Sequence, residues 1–448
     1  MQKKHTDYYV YPSVIRVGEL TKIKIVPRSL ASRFDNPFAE SNWPPEDLSQ
    51  HIKETERKVR IVPFDHFFQP SDDSSCGELS FPVDESGTLT VELCADREQE
   101  YLIKIKGMKD DSWKYVFSIY AVNDDLFGKR AYKGDLHSHS VYSDGSEHYT
   151  EIAANYRSSG FDFMALTDHF KRFPSLMMSK EVNAHDFGLN VYTGEEVHVP
   201  DFRAHYVNVG GNYSVNDFYT ENKDQYEQEY LEIYNSLEIK DENVRELVAR
   251  IKWVHNAIKK SGGISIFAHP FWRWNTLNIP YEVADYVFEH GLMDIFELMG
   301  GMYPCENNIQ LVHWQEWAIK GKKYPIVGSS DQHTTYKDRG ALFNAYYSIV
   351  FADNSSFEEI IKAILNGDNV AVENREMNRD DFRVYGSRRY VSYAHFLWRE
   401  FYPQYEYFCS TVGMLMKMYF EGDESALSAA LDAQKRADLY AERFFGRV

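Results

Sequence analysis

Apolar and polar residues alternate in several short runs along the first part of the chain. The runs from Leu89 to Cys94 and from Trp113 to Ile119 place apolar side chains at every second position. A period of two is typical of a β-strand with one buried face. The pattern therefore predicts a small β-sandwich over residues 1–128.

From about Ala131 onward, short apolar runs alternate with helical periodicity. This alternation is typical of βα units around a parallel sheet or barrel, and it predicts an α/β domain over residues 129–373. Two amphipathic helices interrupt it as an insertion at about 213–261. The remainder, 374–448, is aromatic and helical in pattern, which predicts a C-terminal helical extension. The predicted strands of the α/β domain are Phe163–Thr167, Asn190–His198, His205–Gly210, Gly263–His269, Ile295–Met299 and Tyr324–Gly328.

Charge and composition narrow the classes of partner. The 448 residues include 49 Lys and Arg against 68 Asp and Glu, a formal net charge of −19. A net negative charge of this size repels a phosphate backbone. Long nucleic acid is therefore an unfavourable partner, and a small-molecule substrate is expected. No apolar run reaches the roughly 18 residues that cross a bilayer, and the N-terminus leads into no apolar signal stretch. We therefore expect no membrane association and a cytoplasmic location.

The strongest chemical signal lies in Gly134-Asp135-Leu136-His137-Ser138-His139, with Asp144 five residues later. Two histidines at i and i+2 on a strand point to the same side, so one metal ion can bind both imidazoles. A single H-x-H is weak evidence, but histidine and carboxylate residues recur at the ends of later predicted strands. Strand ends that converge on one rim are where a βα barrel places its site. These later blocks are Thr167-Asp168-His169, Gly194-Glu195-Glu196, His205, Ala268-His269-Pro270 and Ser330-Asp331-Gln332-His333.

Taken in order, the blocks D-L-H-x-H-S-x-x-S-D-G, T-D-H, G-x-E, H, A-H-P and S-D-x-H resemble the PHP (polymerase and histidinol phosphatase) family. The resemblance covers roughly residues 131–373 and implies a distorted (β/α)7 barrel with a two- or three-metal site. Asp144 stands where some members have histidine, so two ions are the better-supported number. The ligand set that the resemblance implies is His137, His139, Asp144, His169, Glu196, His205, His269, Asp331 and His333.

Imidazoles and carboxylates without cysteine ligands suit Zn²⁺, Mn²⁺ or Fe²⁺ at a catalytic site. Two such ions can share a hydroxide that acts as a nucleophile. In this interpretation Glu196 bridges the ions, and Asp168 and Asp135 orient imidazoles or carry a proton. Arg273, after the A-H-P block, is a candidate clamp for an anionic substrate group, with a surface arginine as the equally weighted alternative.

The family resemblance implies a metal-dependent hydrolase, with phosphoesters as the first expected substrates. The N-terminal β domain and the G-D-L-H opening also resemble the carbaryl-hydrolase-like branch, which implies carbamate or carboxylic ester hydrolysis. A non-catalytic metal-binding module is the third alternative. His198 and Glu297 are left open between a role near the metals and an ordinary structural role, and Lys171 and Arg172 are weaker substrate candidates.

Overall fold

The chain divides into two compact units, and segments of the predicted C-terminal extension belong to both. One unit comprises 1–129, 392–405 and 435–448, and the other comprises 130–391 and 406–434. The structure, a computed structural model, describes residues 7–29, 32–34, 55–65, 74–107, 112–273, 275–336, 342–376 and 381–447.

The first unit is built from two sheets that share one hydrophobic core. Strands β1, β3 and β6 form an antiparallel sheet, and a second sheet has the order β2-β8-β7-β4-β5. Inward-facing residues of both sheets, among them Ile23, Val91 and Ile103, are fully buried in the same cluster. The two-residue periodicity is therefore a correct prediction of strands here. The elements are β1 Tyr8–Tyr11, β2 Val14–Arg16, β3 Leu20–Pro27, β4 Glu56–Pro63, β5 Leu79–Pro82, β6 Leu89–Cys94, β7 Gln99–Lys106, β8 Trp113–Val122 and a short helix α1 Asp124–Phe127.

The second unit contains a ten-stranded mixed sheet among its described residues. The strand order is β15-β14-β13-β12-β11-β10-β9-β16-β17-β18. All six predicted strands are present, with ends shifted by up to two residues; one further strand precedes them and three follow them. The strands are β9 Arg130–Asp135, β10 Phe163–Leu166, β11 Asn190–His198, β12 His205–Val209, β13 Ile264–Ala268, β14 Ile295–Met299, β15 Ile326–Gly328, β16 Tyr346–Ala352, β17 Asn369–Glu373 and β18 Arg383–Tyr385.

Helices connect these strands and continue toward the C-terminus. The predicted insertion is present as α5 and α6, preceded by a short helix that the periodicity did not indicate. The helices are α2 Tyr149–Ser158, α3 Phe173–Val182, α4 Val215–Glu221, α5 Lys223–Ser236, α6 Glu242–Lys260, α7 Tyr281–His290, α8 Pro304–Ile319, α9 Phe357–Asn366, α10 Arg388–Glu400, α11 Tyr402–Phe420 and α12 Ser425–Phe444. No helix in these described segments is both long and apolar enough to span a bilayer.

The expectation of a parallel sheet is wrong at two places. Strand β12 runs antiparallel to both β11 and β13, and β16 runs antiparallel to both β9 and β17. The loop between β11 and β12 is only long enough for a hairpin, whereas a parallel connection needs a crossover of a dozen or more residues. The fold is therefore mixed α/β rather than a regular repeat of βα units.

The sheet curls until strand β15 lies against β16 and β17. The Ser348 hydroxyl accepts from the Gly328 N–H at 3.0 Å and donates to the Gly328 carbonyl at 3.1 Å. Asn369 Nδ2 donates to the Ile326 carbonyl at 2.7 Å. Beyond these strands, Ser138 and Gln332 form a parallel bridge, which joins the chain after β9 to the chain after β15. Curling thus brings together two strand ends that are far apart in the strand order.

Gly328 makes this approach possible, and its replacement should weaken the fold. A Cβ atom there would lie 2.4 Å from the Tyr347 carbonyl oxygen and 3.1 Å from the Val372 nitrogen, both backbone atoms that cannot rotate away. We expect Gly328→Ala to lower the stability of this unit by about 1–3 kcal/mol, measured as a shift in the denaturant midpoint. Gly128→Ala is the matched control, because nothing lies within 4 Å of its Cβ position. Equal midpoints for the two variants would contradict the close approach.

Candidate metal centre

The predicted ligands lie at one edge of the curled sheet. His137 and His139 follow β9, His169 follows β10, and Asp331 follows β15, all at the carboxyl ends of their strands. His205 begins β12, but because β12 is antiparallel, its start pairs with the end of β11. All nine predicted side chains fall in groups whose nitrogen and carboxylate oxygen atoms lie within 4.8 Å of one another. His198 joins one of these groups.

Glu196 lies at the middle of the centre, and its two carboxylate oxygens face different histidines. It is completely buried. Oε1 lies 2.7 Å from His205 Nδ1 and 3.1 Å from His269 Nε2. Oε2 has three imidazoles around it: His169 Nδ1 at 2.7 Å, His137 Nε2 at 3.4 Å and His139 Nε2 at 3.4 Å.

One group has the dimensions of a metal coordination sphere. His137 Nε2 and His139 Nε2 lie 3.3 and 2.9 Å from Asp331 Oδ1, and both lie 3.4 Å from Glu196 Oε2. Ligands about 2.0–2.2 Å from one tetrahedral ion are separated by about 3.4 Å. His137 Nε2 and Glu196 Oε2 are buried, and none of their close contacts has the geometry of a hydrogen bond. Unpaired buried polar atoms are costly, and a divalent cation among the four atoms of this group would satisfy both of them.

Two further groups adjoin the first. Glu196 Oε1, His205 and His269 form a second buried group, in which the close contact of His205 Nδ1 with Glu196 Oε1 also lacks the geometry of a hydrogen bond. The third group adds Asp144 and His333 to His139 and His169. Asp144 lies 3.2 Å from His333 Nε2 and 3.6 Å from His169 Nε2, and its side chain is 57% exposed. The third group therefore opens to solvent, whereas the first two are enclosed.

Three acidic residues support the centre without facing into it. Glu297 Oε2 lies 2.9 Å from His137 Nδ1, which leaves Nε2 of the same ring directed at the first group. A carboxylate on the far ring nitrogen fixes the orientation and tautomer of a ligating histidine. The sequence left Glu297 open between this role and a structural one, because the pairing joins residues from different strands.

Asp135 and Asp168 contact backbone and hydroxyl groups rather than imidazoles. Asp135 accepts from Tyr156 Oη at 2.8 Å and from both the backbone N–H and the hydroxyl of Ser330, beside Asp331. Burial raises the pKa of Asp135 to about 6, against the effect of these hydrogen bonds. Asp168 accepts from the Ser140 N–H at 2.8 Å, the Ser140 hydroxyl at 2.7 Å and the Ser143 hydroxyl at 2.6 Å. Each aspartate therefore holds a ligand-bearing loop in place.

The adjacent residues Glu195 and Glu196 occupy opposite faces of β11. Glu195 accepts four hydrogen bonds on the far side, from Asn208 Nδ2, Ser214 Oγ, the Val215 N–H and Asn216 Nδ2. The two-residue period also places His198 with Glu196, and its Nε2 lies 2.8 Å from His169 Nδ1. The structure thus separates the neighbouring carboxylates as the alternation predicts.

Arg273 is engaged elsewhere. Its Nε lies 3.2 Å from the buried Glu306, and its Nη2 lies 3.2 Å from Cys305 Sγ. The side chain is 48% exposed. Lys171 donates to the Tyr142 carbonyl oxygen, in the loop that follows β9. The structure therefore brings neither cation into the groups of candidate ligands.

The backbone is strained at two of the candidate ligands. His269 and Asp331 have φ angles of 27° and 48°, and Phe170, next to His169, has a φ of 58°. The left-handed region costs a non-glycine residue about 1–2 kcal/mol. Strain of this kind persists where the surrounding structure fixes the conformation, and it often marks a functional site.

The charges of the centre depend on one another. Burial alone would lower the pKa of His169, but Glu196 and Asp144 outweigh it and raise that pKa to about 10. Asp144 and Asp331 likewise outweigh burial at His333 and raise its pKa to about 9. Burial would raise the pKa of Glu196, yet the surrounding imidazoles hold it well below its ordinary value. Without metal, the centre therefore holds its carboxylates charged by keeping protons on several imidazoles.

Part of the chain that contains the candidate metal centre resembles a known protein family. Residues 135–261 match the PHP domain. The matched segment contains the candidate ligands from His137 to His205. It covers less than half of the chain. No curated protein sequence matches the chain.

Several solved structures resemble parts of the chain. A two-domain protein of Bacteroides vulgatus, described as containing a predicted PHP-like metal-dependent phosphoesterase, is 21% identical with a TM-score of 0.39. That match covers 56% of this chain and 66% of the other, slightly less than two thirds of its length. A candidate metal-dependent phosphoesterase of Bifidobacterium adolescentis is 19% identical over 45% of this chain and 87% of the other (TM-score 0.31). An amidohydrolase of Chromobacterium violaceum is 16% identical over 46% and 89%, respectively (TM-score 0.32).

Separate substitutions of the two adjacent glutamates should have different effects, one on metal binding and the other on stability. We expect Glu196→Gln to lower the number of bound divalent ions, measured by elemental analysis, because an amide nitrogen, unlike a carboxylate oxygen, has no available lone pair for a cation. Glu195→Gln should retain the ions but lower the free energy of unfolding by about 1–3 kcal/mol, since its amide would face donors on every side. The reverse assignment of effects would show that β11 has the opposite register.

Metal uptake should release protons at neutral pH. The raised pKa values of His169 (about 10) and His333 (about 9) mean that both imidazoles are protonated at pH 7 when no ion is bound. A ligating imidazole must be neutral, so binding displaces these protons and the affinity should rise with pH up to about 9–10. Calorimetric titration with Zn²⁺ in two buffers of different ionisation enthalpy measures the proton number. Release of no proton at pH 7 would contradict the assignment of His169 and His333.

Proposed function

We propose that this protein is a metal-dependent hydrolase of phosphoesters with a small anionic substrate. The observation that carries the proposal is the position of Glu196, whose two oxygens each face a separate set of imidazoles. A carboxylate placed in this way is suited to bridge two divalent ions. The match of residues 135–261 to the PHP domain supports the same proposal.

The proposed ligands divide into three sets. The first ion would be held by His137, His139, Glu196 and Asp331, and the second by Glu196, His205 and His269. Asp144, His169 and His333 would hold a third, more exposed ion, with Zn²⁺, Mn²⁺ or Fe²⁺ as the candidate metals. When bound, such ions supply Lewis acidity and lower the pKa of water at a phosphoryl group.

The remaining residues of the centre are proposed to act by position. Glu297 would keep His137 Nδ1 protonated, so that the lone pair of Nε2 faces inward. Asp168 would hold the loop from His139 to Asp144, and Asp135 would hold the chain at Ser330. We therefore assign these two aspartates to the placement of ligands rather than to proton transfer.

The proposal also concerns the architecture of the two units. We propose that the curled sheet is a distorted (β/α)7 barrel over residues 129–373, joined to an N-terminal β-sandwich over 1–128. Residues 374–448 would be a mainly helical extension that also contributes the edge strand β18 to the sheet. The mixed sheet, with its hairpin between β11 and β12, is the departure from a regular barrel that this description requires.

The proposal is tested by metal analysis followed by a substrate screen. We expect purified protein to bind at least two divalent ions and to hydrolyse phosphomonoesters or phosphodiesters in the presence of Mn²⁺, Zn²⁺ or Fe²⁺. Asp331→Ala should lower metal content and activity together, whereas Asp285→Ala, on α7, should change neither. Carbamates and carboxylic esters belong in the same screen, because the same ions could act on them. Metal binding without activity on any of these classes would favour a structural module.

Arg273 remains a candidate for binding the anionic group of the substrate. Its guanidinium is half exposed, so a ligand can reach it, but Glu306 competes for it. If it binds the substrate, Arg273→Lys should weaken phosphoester turnover and leave metal content intact, because a point charge cannot reproduce the planar fork. Unchanged kinetics would assign Arg273 to its ion pair with Glu306 alone.

A further inference from the structure

Two loops that carry candidate ligands also carry exposed apolar side chains. Val141 lies between His139 and Asp144 and is 49% exposed, and Phe170, directly after His169, is 46% exposed. Phe173, at the start of α3, is 48% exposed and packs edge-to-face against Tyr142, with ring centroids 5.4 Å apart. Single exposed apolar residues are ordinary, but several on two loops that also carry candidate ligands indicate a binding surface.

Phe170 contacts the candidate metal centre through His198. Its ring lies 3.9 Å, centroid to centroid, from the ring of His198, which in turn lies 4.7 Å from His169 and 4.1 Å from His205. The Phe170 ring is therefore one imidazole away from two candidate ligands. An apolar group attached to a substrate at the centre would meet this ring.

The backbone presents Phe170 at a cost. Its φ of 58° lies in the left-handed region, which a bulky side chain rarely adopts. Burial does not repay this cost, because almost half of the side chain faces solvent. An unfavourable conformation that holds an apolar ring in water beside a reactive centre has a functional explanation more readily than a structural one.

The loops are held together before any ligand binds. Asp168 receives hydrogen bonds from Ser140 and Ser143 of the first loop, and Lys171 of the second loop donates to the Tyr142 carbonyl oxygen. The apolar side chains therefore keep a fixed place relative to the ligands. A preformed apolar surface binds without the entropic cost of ordering a loop.

We propose that Phe170, with Val141, Tyr142 and Phe173, forms an apolar rim that binds the alcohol part of the substrate. This rests on the proposed phosphoester hydrolysis and specifies its substrate class, namely esters of bulky apolar alcohols or phenols. Hydrolysis breaks the bond between phosphorus and the alcohol oxygen; water supplies the oxygen to phosphorus and a proton to the released alcohol. The rim determines which esters are preferred, because it binds the alcohol that leaves.

The test compares phenyl phosphate with 4-tert-butylphenyl phosphate on the Mn²⁺-loaded full-length protein. The two phenols have nearly equal acidity, so the esters differ mainly in apolar surface. We expect the native protein to prefer the tert-butyl ester by about fivefold or more in kcat/KM. Phe170→Ala should bring this ratio close to one, mainly by raising KM for the tert-butyl ester.

Two further variants control the result. Phe64→Ala removes an exposed phenylalanine of the other unit and should leave the ratio unchanged. Phe170→Gly removes the ring and relieves the left-handed strain, so it should fold at least as well as Phe170→Ala and lose the preference equally. Metal content should stay at the native level in both Phe170 variants. Loss of metal would show that Phe170 serves to hold His198, and would overturn the rim.

Failure of the rim and failure of the proposed function give different results. A ratio near one in the native protein, or a preference that survives Phe170→Ala, overturns the rim while hydrolysis stands. If neither ester is hydrolysed, calorimetric binding of the same two esters replaces turnover. A binding preference that Phe170→Ala abolishes supports the rim even when phosphoester hydrolysis fails, and absence of binding by both esters overturns it.

Discussion

A carboxylate buried completely within a protein needs positive charge or cations around it, and Glu196 obtains this from five histidines. These histidines come from the ends of four different strands, so the strands must deliver their side chains to within a few ångströms of one point. The curl of the sheet, the hairpin that turns β12 back and the closeness of β15 to β16 all serve this convergence. Apolar side chains elsewhere in the interior do not need to meet at one point, because an apolar core tolerates changes in how its residues pack.

Much of the centre follows from the sequence because its ligands are of rare types at informative spacings. His137 and His139 share a face through the two-residue period of a strand, and the same period separates Glu196 from Glu195. Local periodicity also predicts the strands β10 to β15 within a residue or two. These inferences need only the chain on either side of each residue.

Other features depend on contacts between distant segments, and the sequence could not specify them. The pairing of Glu297 with His137 joins β14 to β9, and the pairing of Arg273 with Glu306 depends on where α8 begins. The antiparallel course of β12 is different, because the short loop between the predicted strands already excludes a parallel crossover, although the apolar run itself has the same pattern in either direction. Asp135 and Asp168 were predicted to orient imidazoles or carry a proton, but the groups that they contact are hydroxyls and backbone N–H groups, which any sequence contains in abundance.

In the two loops that carry candidate ligands, different residues fix the loop conformation and face the solvent. The hydrogen bonds from Ser140 and Ser143 to Asp168 join the two loops. Placement of His139, Asp144 and His169 depends on that aspartate and its hydroxyl partners. The apolar side chains of Val141 and Phe170 form none of these hydrogen bonds, although the Phe170 ring packs against His198. A change at position 141 or 170 therefore leaves the hydrogen bonds of Asp168 intact. If the proposed rim binds substrate, substitutions at these two positions would change substrate selectivity without altering the hydrogen bonds that hold the loops of the candidate ligands.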